Sequence, residues 1–173
     1  RRGLLPQAML DAGEVLAGFT GRTGGGIDQI QIVCAAMLAD GSYGAPLPFR
    51  DAYGGFGGGA AGMQTCDRNS RMAAGRVALV SENNMVGGVQ FHCVDRNGNV
   101  TGKILFGGSG TASPAGVIYR NCPTFGSCDN GAAADYRCHD ESFTGIRVRF
   151  DTAVRGIGFL CDIRNPPAPP PKL

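Results

Sequence analysis

Three nineteen-residue segments of this chain end in cysteine and share one grammar: Leu16 to Cys34, Gly75 to Cys93 and Phe143 to Cys161. Anchored on the cysteine they align without gaps, and each reads as strand, polar or glycine turn, strand. In the second strand the apolar positions alternate: Ile30, Ile32 and Cys34; Val89, Phe91 and Cys93; Ile157, Phe159 and Cys161. A side-chain period of two sets these residues on one core-facing side and sets Val33, His92 and Leu160 toward solvent. One such unit cannot bury both edges of its own sheet. Three of them around a pseudo-threefold axis share a central core, which is the physical reason to expect three.

Glycine supports the all-β reading. The chain has 29 glycines in 173 residues, well above the usual share of about 7%. Many fall in clusters such as Gly24-Gly25-Gly26 and Gly57-Gly58-Gly59, between runs rich in Val, Ile and Phe. Glycine clusters between short β-favouring runs mark tight turns and bulges. Further turns are expected at Asp40-Gly41-Ser42 and at Asn97-Gly98, the latter as a two-residue type I′ hairpin. A helical pattern occurs only over Leu4 to Leu10. These features divide the chain into an N-terminal extension (1–11), a domain of three repeats (12–163, divided at about 12–59, 60–110 and 111–163) and a proline-rich tail (164–173).

The charge balance narrows the partners. A net charge of +2 with 17% charged residues provides no basic surface for nucleic acid, and no apolar run reaches the roughly 20 residues that cross a bilayer as a helix. Seven cysteines point to an oxidising compartment, hence a secreted or cell-surface location, extracellular or periplasmic. The run Pro166-Pro167-Ala168-Pro169-Pro170-Pro171 reads as an extended linker to a further domain, and the start at Arg1-Arg2 as the trace of a removed leader or an excised domain.

The segment Gly18-Phe19-Thr20-Gly21-Arg22-Thr23-Gly24-Gly25-Gly26-Ile27-Asp28-Gln29-Ile30 resembles the strand-pair pattern of the jacalin-like lectins nearly position by position. Tyr53-Gly54-Gly55-Phe56-Gly57 is similar to that family's aromatic, glycine-rich loop. The closing cysteine, as in Gln90-Phe91-His92-Cys93, resembles the related vitelline membrane outer layer protein family. The likeness covers most of residues 12 to 163 and is specific in the first unit and looser in the others. It implies a β-prism of three pseudo-threefold-related antiparallel Greek-key sheets. It also implies a sugar site at the prism apex, between a Gly-x-x-x-Asp loop and a neighbouring unit's glycine-rich loop. Carried over by position, Gly24 and Asp28 face Gly54, Gly55 and Gly57, with Tyr53 or Phe56 covering an apolar sugar face. A carboxylate accepts bonds from vicinal hydroxyls, and glycine backbone lets a ring approach closely. The second unit has Asn83 and Gly87 at the matching places and the third has Asp151 and Arg155, so only the first keeps the carboxylate. The structural reading of the same residues is that Asp28 caps nearby backbone and Gly24 to Gly26 make a tight turn.

The spacing of the cysteines pairs Cys66 with Cys93, clamping the second unit's strands, and Cys138 with Cys161, clamping the third. Cys122 and Cys128 then close a small loop; the alternative pairs Cys122 with Cys161 and Cys128 with Cys138. Cys34 is the expected orphan, a buried and inert thiol. Zinc on Cys122, Cys128, Cys138 and His139 misses the usual knuckle spacing. Asp95-Arg96-Asn97-Gly98-Asn99 lacks the closing Glu of a calcium loop. With no nucleophile elbow or phosphate loop, the expected function is carbohydrate binding without catalysis, cofactor or metal. Its expected partner is a glycan or polysaccharide. The alternative is a structural or adhesive module that assembles with other domains or subunits.

Overall fold

The structure is a computed structural model that describes residues 7–9, 13–80, 85–107, 117–124, 127–130, 136–137 and 143–161. These residues contain no helix. Their strands are β1 (Gln7–Met9), β2 (Glu14–Thr23), β3 (Ile27–Ala36), β4 (Leu47–Gly54), β5 (Gly59–Thr65), β6 (Ser70–Val80) and β7 (Met85–Asp95). They continue with β8 (Val100–Gly107), β9 (Val117–Thr124), β10 (Ser127–Asn130), β11 (Tyr136–Arg137), β12 (Phe143–Phe150) and β13 (Val154–Cys161). The described residues are therefore all-β, and their pairings are antiparallel.

The strands form three hydrogen-bonded sheets, ordered β4-β3-β2-β5, then β10-β9-β6-β7-β8 with β11 beside β6, and β1-β12-β13. In the first two, three strands follow as hairpins and a fourth, β5 or β9, returns beside the first, which is Greek-key order. The third sheet is a hairpin completed by β1. One expectation changes here. Gln7–Met9, inside the helical pattern over Leu4 to Leu10, is a strand whose residues pair with Arg147, Ile146 and Gly145 on the edge of β12. Past the expected divisions near 59 and 110, β5 and β9 hydrogen-bond back to the sheets that precede them.

Each main hairpin carries two register shifts. In β2–β3 they lie between Leu16 and Gly18 and between Arg22 and Thr23; in β12–β13, between Phe143 and Gly145 and between Arg149 and Phe150. In β6–β7 they lie between Met72 and Ala74 and between Ala78 and Leu79. Cys34, Cys93 and Cys161 pair with Leu16, Met72 and Phe143. The gapless match of the second segment is thus displaced on its first strand: Met72, not Gly75, stands opposite the cysteine.

The shift near each turn decides which side chains enter the core. On β3 the extra residue is Asp28, on β7 Gly87 and on β13 Arg155, each between two residues that pair with neighbours on the facing strand. Strict alternation back from Ile30, Val89 and Ile157 would point these three positions inward. The bulge reverses the phase, and Ile27, Val86 and Val154 are the residues fully buried instead.

One core joins the three sheets, with Leu16, Phe19, Ile30 and Ile32 from the first, Met72, Val89, Phe91 and Phe106 from the second, and Phe143, Ile146 and Val148 from the third. The Phe19 ring meets Phe91 edge-on at 5.6 Å and lies 6.0 Å from Phe106, geometries that suit the aromatic quadrupole. Val33 is fully buried, contrary to its solvent-facing phase. The outer side of β2 and β3 near it carries a second cluster of Val15, Ala17, Ala35 and Tyr43. Tyr43 comes from the loop after β3, held where its N–H donates to the Arg68 carbonyl at 3.1 Å. His92 is half-buried in β7.

The turn at Asn97-Gly98 is a three-residue loop rather than a type I′ hairpin. Gly98 N–H donates to the Asp95 carbonyl at 3.0 Å, Gly98 has φ 81°, and Asp95 N–H donates to the Asn99 carbonyl at 2.9 Å. The Asp95 carboxylate accepts from the N–H groups of Asn97 and Asn99, an Asx-type cap that selects the longer turn.

Cys66 and Cys93 form a disulfide with Cα atoms 5.6 Å apart, the expected pair in an unexpected role. Cys66 follows β5 and its N–H donates to the Ala17 carbonyl at 2.9 Å, so the bond ties the edge of the first sheet to β7 of the second. Cys34 is buried, and its Sγ lies 3.7 Å from the Leu47 carbonyl oxygen. The expected pairs Cys138 with Cys161 and Cys122 with Cys128 involve side chains outside the described residues. The disulfide spans 27 residues, and loop-closure entropy assigns such a crosslink about 3–4 kcal/mol. Replacing both cysteines by serine is expected to lower unfolding stability by about 2–4 kcal/mol in urea titrations while the far-ultraviolet β signal persists.

Candidate functional site

The bulge that keeps Asp28 out of the core also aims it. Its backbone carbonyl accepts the Gly55 N–H at 2.9 Å, which fastens the loop between β4 and β5 to the end of β3. Its half-buried carboxylate stands among three glycines. A Cβ on Gly57 would lie 2.6 Å from Asp28 Oδ1, one on Gly58 2.5 Å from Oδ2, and one on Gly24 3.3 Å from Oδ2. Gly24 comes from the turn between β2 and β3, closed by its own N–H donating to Gly26 O at 2.9 Å. The space around the carboxylate therefore exists because these positions have no side chains.

Two further contacts fix the surroundings. Arg22 reaches across from β2 and donates from Nε to Gly57 O at 2.9 Å and from Nη2 to Gly58 O at 2.7 Å. On the far side of the loop, the Thr152 carbonyl from the third sheet's hairpin turn packs where a Gly55 side chain would stand. Gly26 packs in the same way on Met85 and Val86 of the second sheet. Turns from different sheets thus meet around this end of β3.

Among the described residues, no group donates a hydrogen bond to the Asp28 carboxylate and no cation pairs with it. Nor do the N–H groups of Phe56, Gly57 and Gly58 have a protein acceptor among them. The Asp28 carboxylate thus lies against the exposed backbone of Gly57 and Gly58. That arrangement suits a ligand carrying adjacent hydroxyls, each of which both gives and takes a hydrogen bond.

The structure places Gly24, Asp28, Gly54, Gly55 and Gly57 close to one another, and the glycine loop joins β4 to β5 of the same sheet as Asp28 rather than coming from a neighbouring unit. The two aromatics part company. Tyr53 is half-buried against the core, its ring 5.7 Å from Phe150, and this burial together with the charge of Asp51 raises its hydroxyl above the usual pKa. Phe56 is 87% exposed at the loop tip, so it is the ring open to a ligand. Gly58 and Arg22 were missed as site residues. The signal for Arg22 was present: it and Glu14 are the only charged residues of β2, and Arg22 sits at the strand's turn end.

The matching bulges of the other hairpins are filled or empty in a different sense. Arg155 turns back to Asp151, with Nε 2.9 Å from Oδ1. That bond, with the Ala153 N–H and the nearby positive charge, holds the Asp151 carboxyl below its ordinary range. Gly87 brings no side chain and is buried.

Gly58 has φ 61°, and a side chain there would strike the Thr23 carbonyl as well as Asp28. Gly58→Ala is expected to cost about 1–3 kcal/mol in chemical unfolding. Gly25→Ala, where a Cβ meets open space, should stay within about 0.5 kcal/mol of the parent.

No protein-family model matches the chain, and no curated protein or solved structure does either.

Proposed function

We propose that this chain is a glycan-binding module of the jacalin-like, β-prism type, whose working site is the Asp28 cradle. One observation carries the reading: a carboxylate without a protein partner among the described residues, held on a bulge and ringed by Gly24, Gly57 and Gly58. A structural capping role would have Asp28 accept from nearby N–H groups, as Asp95 does in its turn. The exposed Phe56 provides an apolar ring face beside the polar cradle, the usual pairing for pyranose recognition.

In this reading the three hairpins with matching bulges are diverged copies of one unit, and their sheets are the three faces of the prism. The hairpins at Gly87 and at Asp151–Arg155 have lost the site, leaving one of three. The module binds without turnover. It works in a secreted or cell-surface protein, where the Cys66–Cys93 bond persists. The buried position of Cys34 disfavours assembly through an intermolecular disulfide at that residue.

A glycan array probed with the oxidised protein tests the proposal. Retention of a defined saccharide class is expected, lost in Asp28→Ala and in Gly57→Ala, whose new methyl displaces only the flexible carboxylate. Gly59→Ala, with nothing nearby, should bind as the parent does. Binding that survives Asp28→Ala in a folded protein would refute the site. A blank array would leave the structural, adhesive module as the better account.

A further inference from the structure

We infer that Arg22 is the positioning residue of this site, acting through the shape of the glycine loop rather than by touching a ligand. The inference rests on the glycan-binding reading for its functional consequence, but not for its geometry. The loop between β4 and β5 is fastened at Gly55, whose N–H donates to the Asp28 carbonyl; beyond it Phe56, Gly57 and Gly58 make, among the described residues, no hydrogen bond other than the two that Arg22 donates. Gly57 and Gly58 also lack side chains to anchor them. A glycine pair left this way samples many backbone states, and a cradle that must be ordered on binding loses affinity to that ordering.

Arg22 removes this freedom. The Nε–Nη2 edge of its guanidinium presents two parallel donors, and two successive carbonyls, Gly57 O and Gly58 O, accept them at 2.9 and 2.7 Å. Two bonds to neighbouring peptide units fix the orientation of both planes, which a single point charge cannot do. Their carbonyls are committed to Arg22 while the same two residues press against the Asp28 carboxylate from the other direction. Arg22 is itself held in register, its backbone opposite Gln29 on one side and Ala60 on the other, two residues before Gly24 of the turn. The clasp therefore links the three parts of the cradle: the β2 end, the glycine loop and, through its packing, the bulge at Asp28.

The chemistry separates this role from that of a surface charge. Lysine keeps the charge and the aliphatic stem but cannot bridge two carbonyls in one plane. The test uses the full oxidised chain as wild type, Arg22→Lys and Arg22→Ala, with neutral methyl pyranosides of the gluco, galacto and manno series as probes. In Arg22→Ala the amide resonances of Gly57 and Gly58 should move and broaden while resonances of the core strands stay in place. Affinity for the retained pyranoside should fall about tenfold or more, as expected for lost charge-assisted bonds that order a site. Arg22→Lys should behave like Arg22→Ala. Methylguanidinium at millimolar, non-denaturing concentration should restore part of the binding to Arg22→Ala and none to Asp28→Ala.

Wild-type affinity in folded Arg22→Lys, or undisturbed Gly57 and Gly58 resonances in either variant, would overturn the assignment. Should Arg22→Ala fail to fold, the resonances of Arg22→Lys decide the matter in the same way. If no pyranoside binds even the wild type, the glycan reading fails. The loop resonances then judge the clasp alone: displacement upholds it and constancy overturns it.

Discussion

A one-residue shift near the turn of each main hairpin governs the rest of the fold. A strand has a side-chain period of two, so any residue an even number of places from Ile30 points into the core unless the ladder slips. Asp28 is two places away. Without the bulge its carboxylate would enter an apolar centre beside Phe19, Phe91 and Phe106, at a desolvation cost no partner in that core could offset. With the bulge, Ile27 takes the inward place and Asp28 the outward one. The same slip brings Val86 and Val154 inward in place of Gly87 and Arg155, with Gly87 buried all the same. One backbone device thus completes the core and frees a position for chemistry.

Around that position, small residues follow from geometry. The carboxylate occupies the volume that side chains at Gly57 and Gly58 would fill, and the loop can stay near it only while those positions are bare. The cost is a backbone with few internal bonds, which the Arg22 fork offsets. The hairpin at Asp151–Arg155 shows the alternative outcome of the same bulge. There the extra residue is a cation that folds back onto the turn's own carboxylate, so the charge at that corner is paired within the turn.

Much of this was legible in the sequence. Alternating Ile30, Ile32 and Cys34 marked the core face, the glycine clusters marked turns, and the Cys66–Cys93 pair followed from spacing. The segment Gly24 to Asp28 and the loop Tyr53 to Gly57 were expected to face each other, and the Asp28 carbonyl accepts the Gly55 N–H. What failed did so for physical reasons. Strict alternation misplaced Val33, which is fully buried although it is out of phase with Ile30 and Ile32. The bulges were encoded, however: Ile27, Val86 and Val154 each stand three places before an inward residue, a spacing a regular strand cannot bury. The gapless match of the second segment hid this, since Met72 rather than Gly75 faces Cys93. Of the two rings offered, Tyr53 or Phe56, the first is half-buried beside Phe150, which is distant in sequence.

The account stands or falls on what the Asp28 carboxylate meets when the domain is at work. The most direct measurement is a crystal structure of the oxidised domain soaked with a pyranoside or oligosaccharide that it retains. The account predicts adjacent sugar hydroxyls on the two Asp28 oxygens, the ring seated against Gly24, Gly57 and Gly58, and Arg22 still bridging the loop carbonyls. A saccharide seated elsewhere, or an Asp28 carboxylate turned back to cap its own backbone, would contradict it.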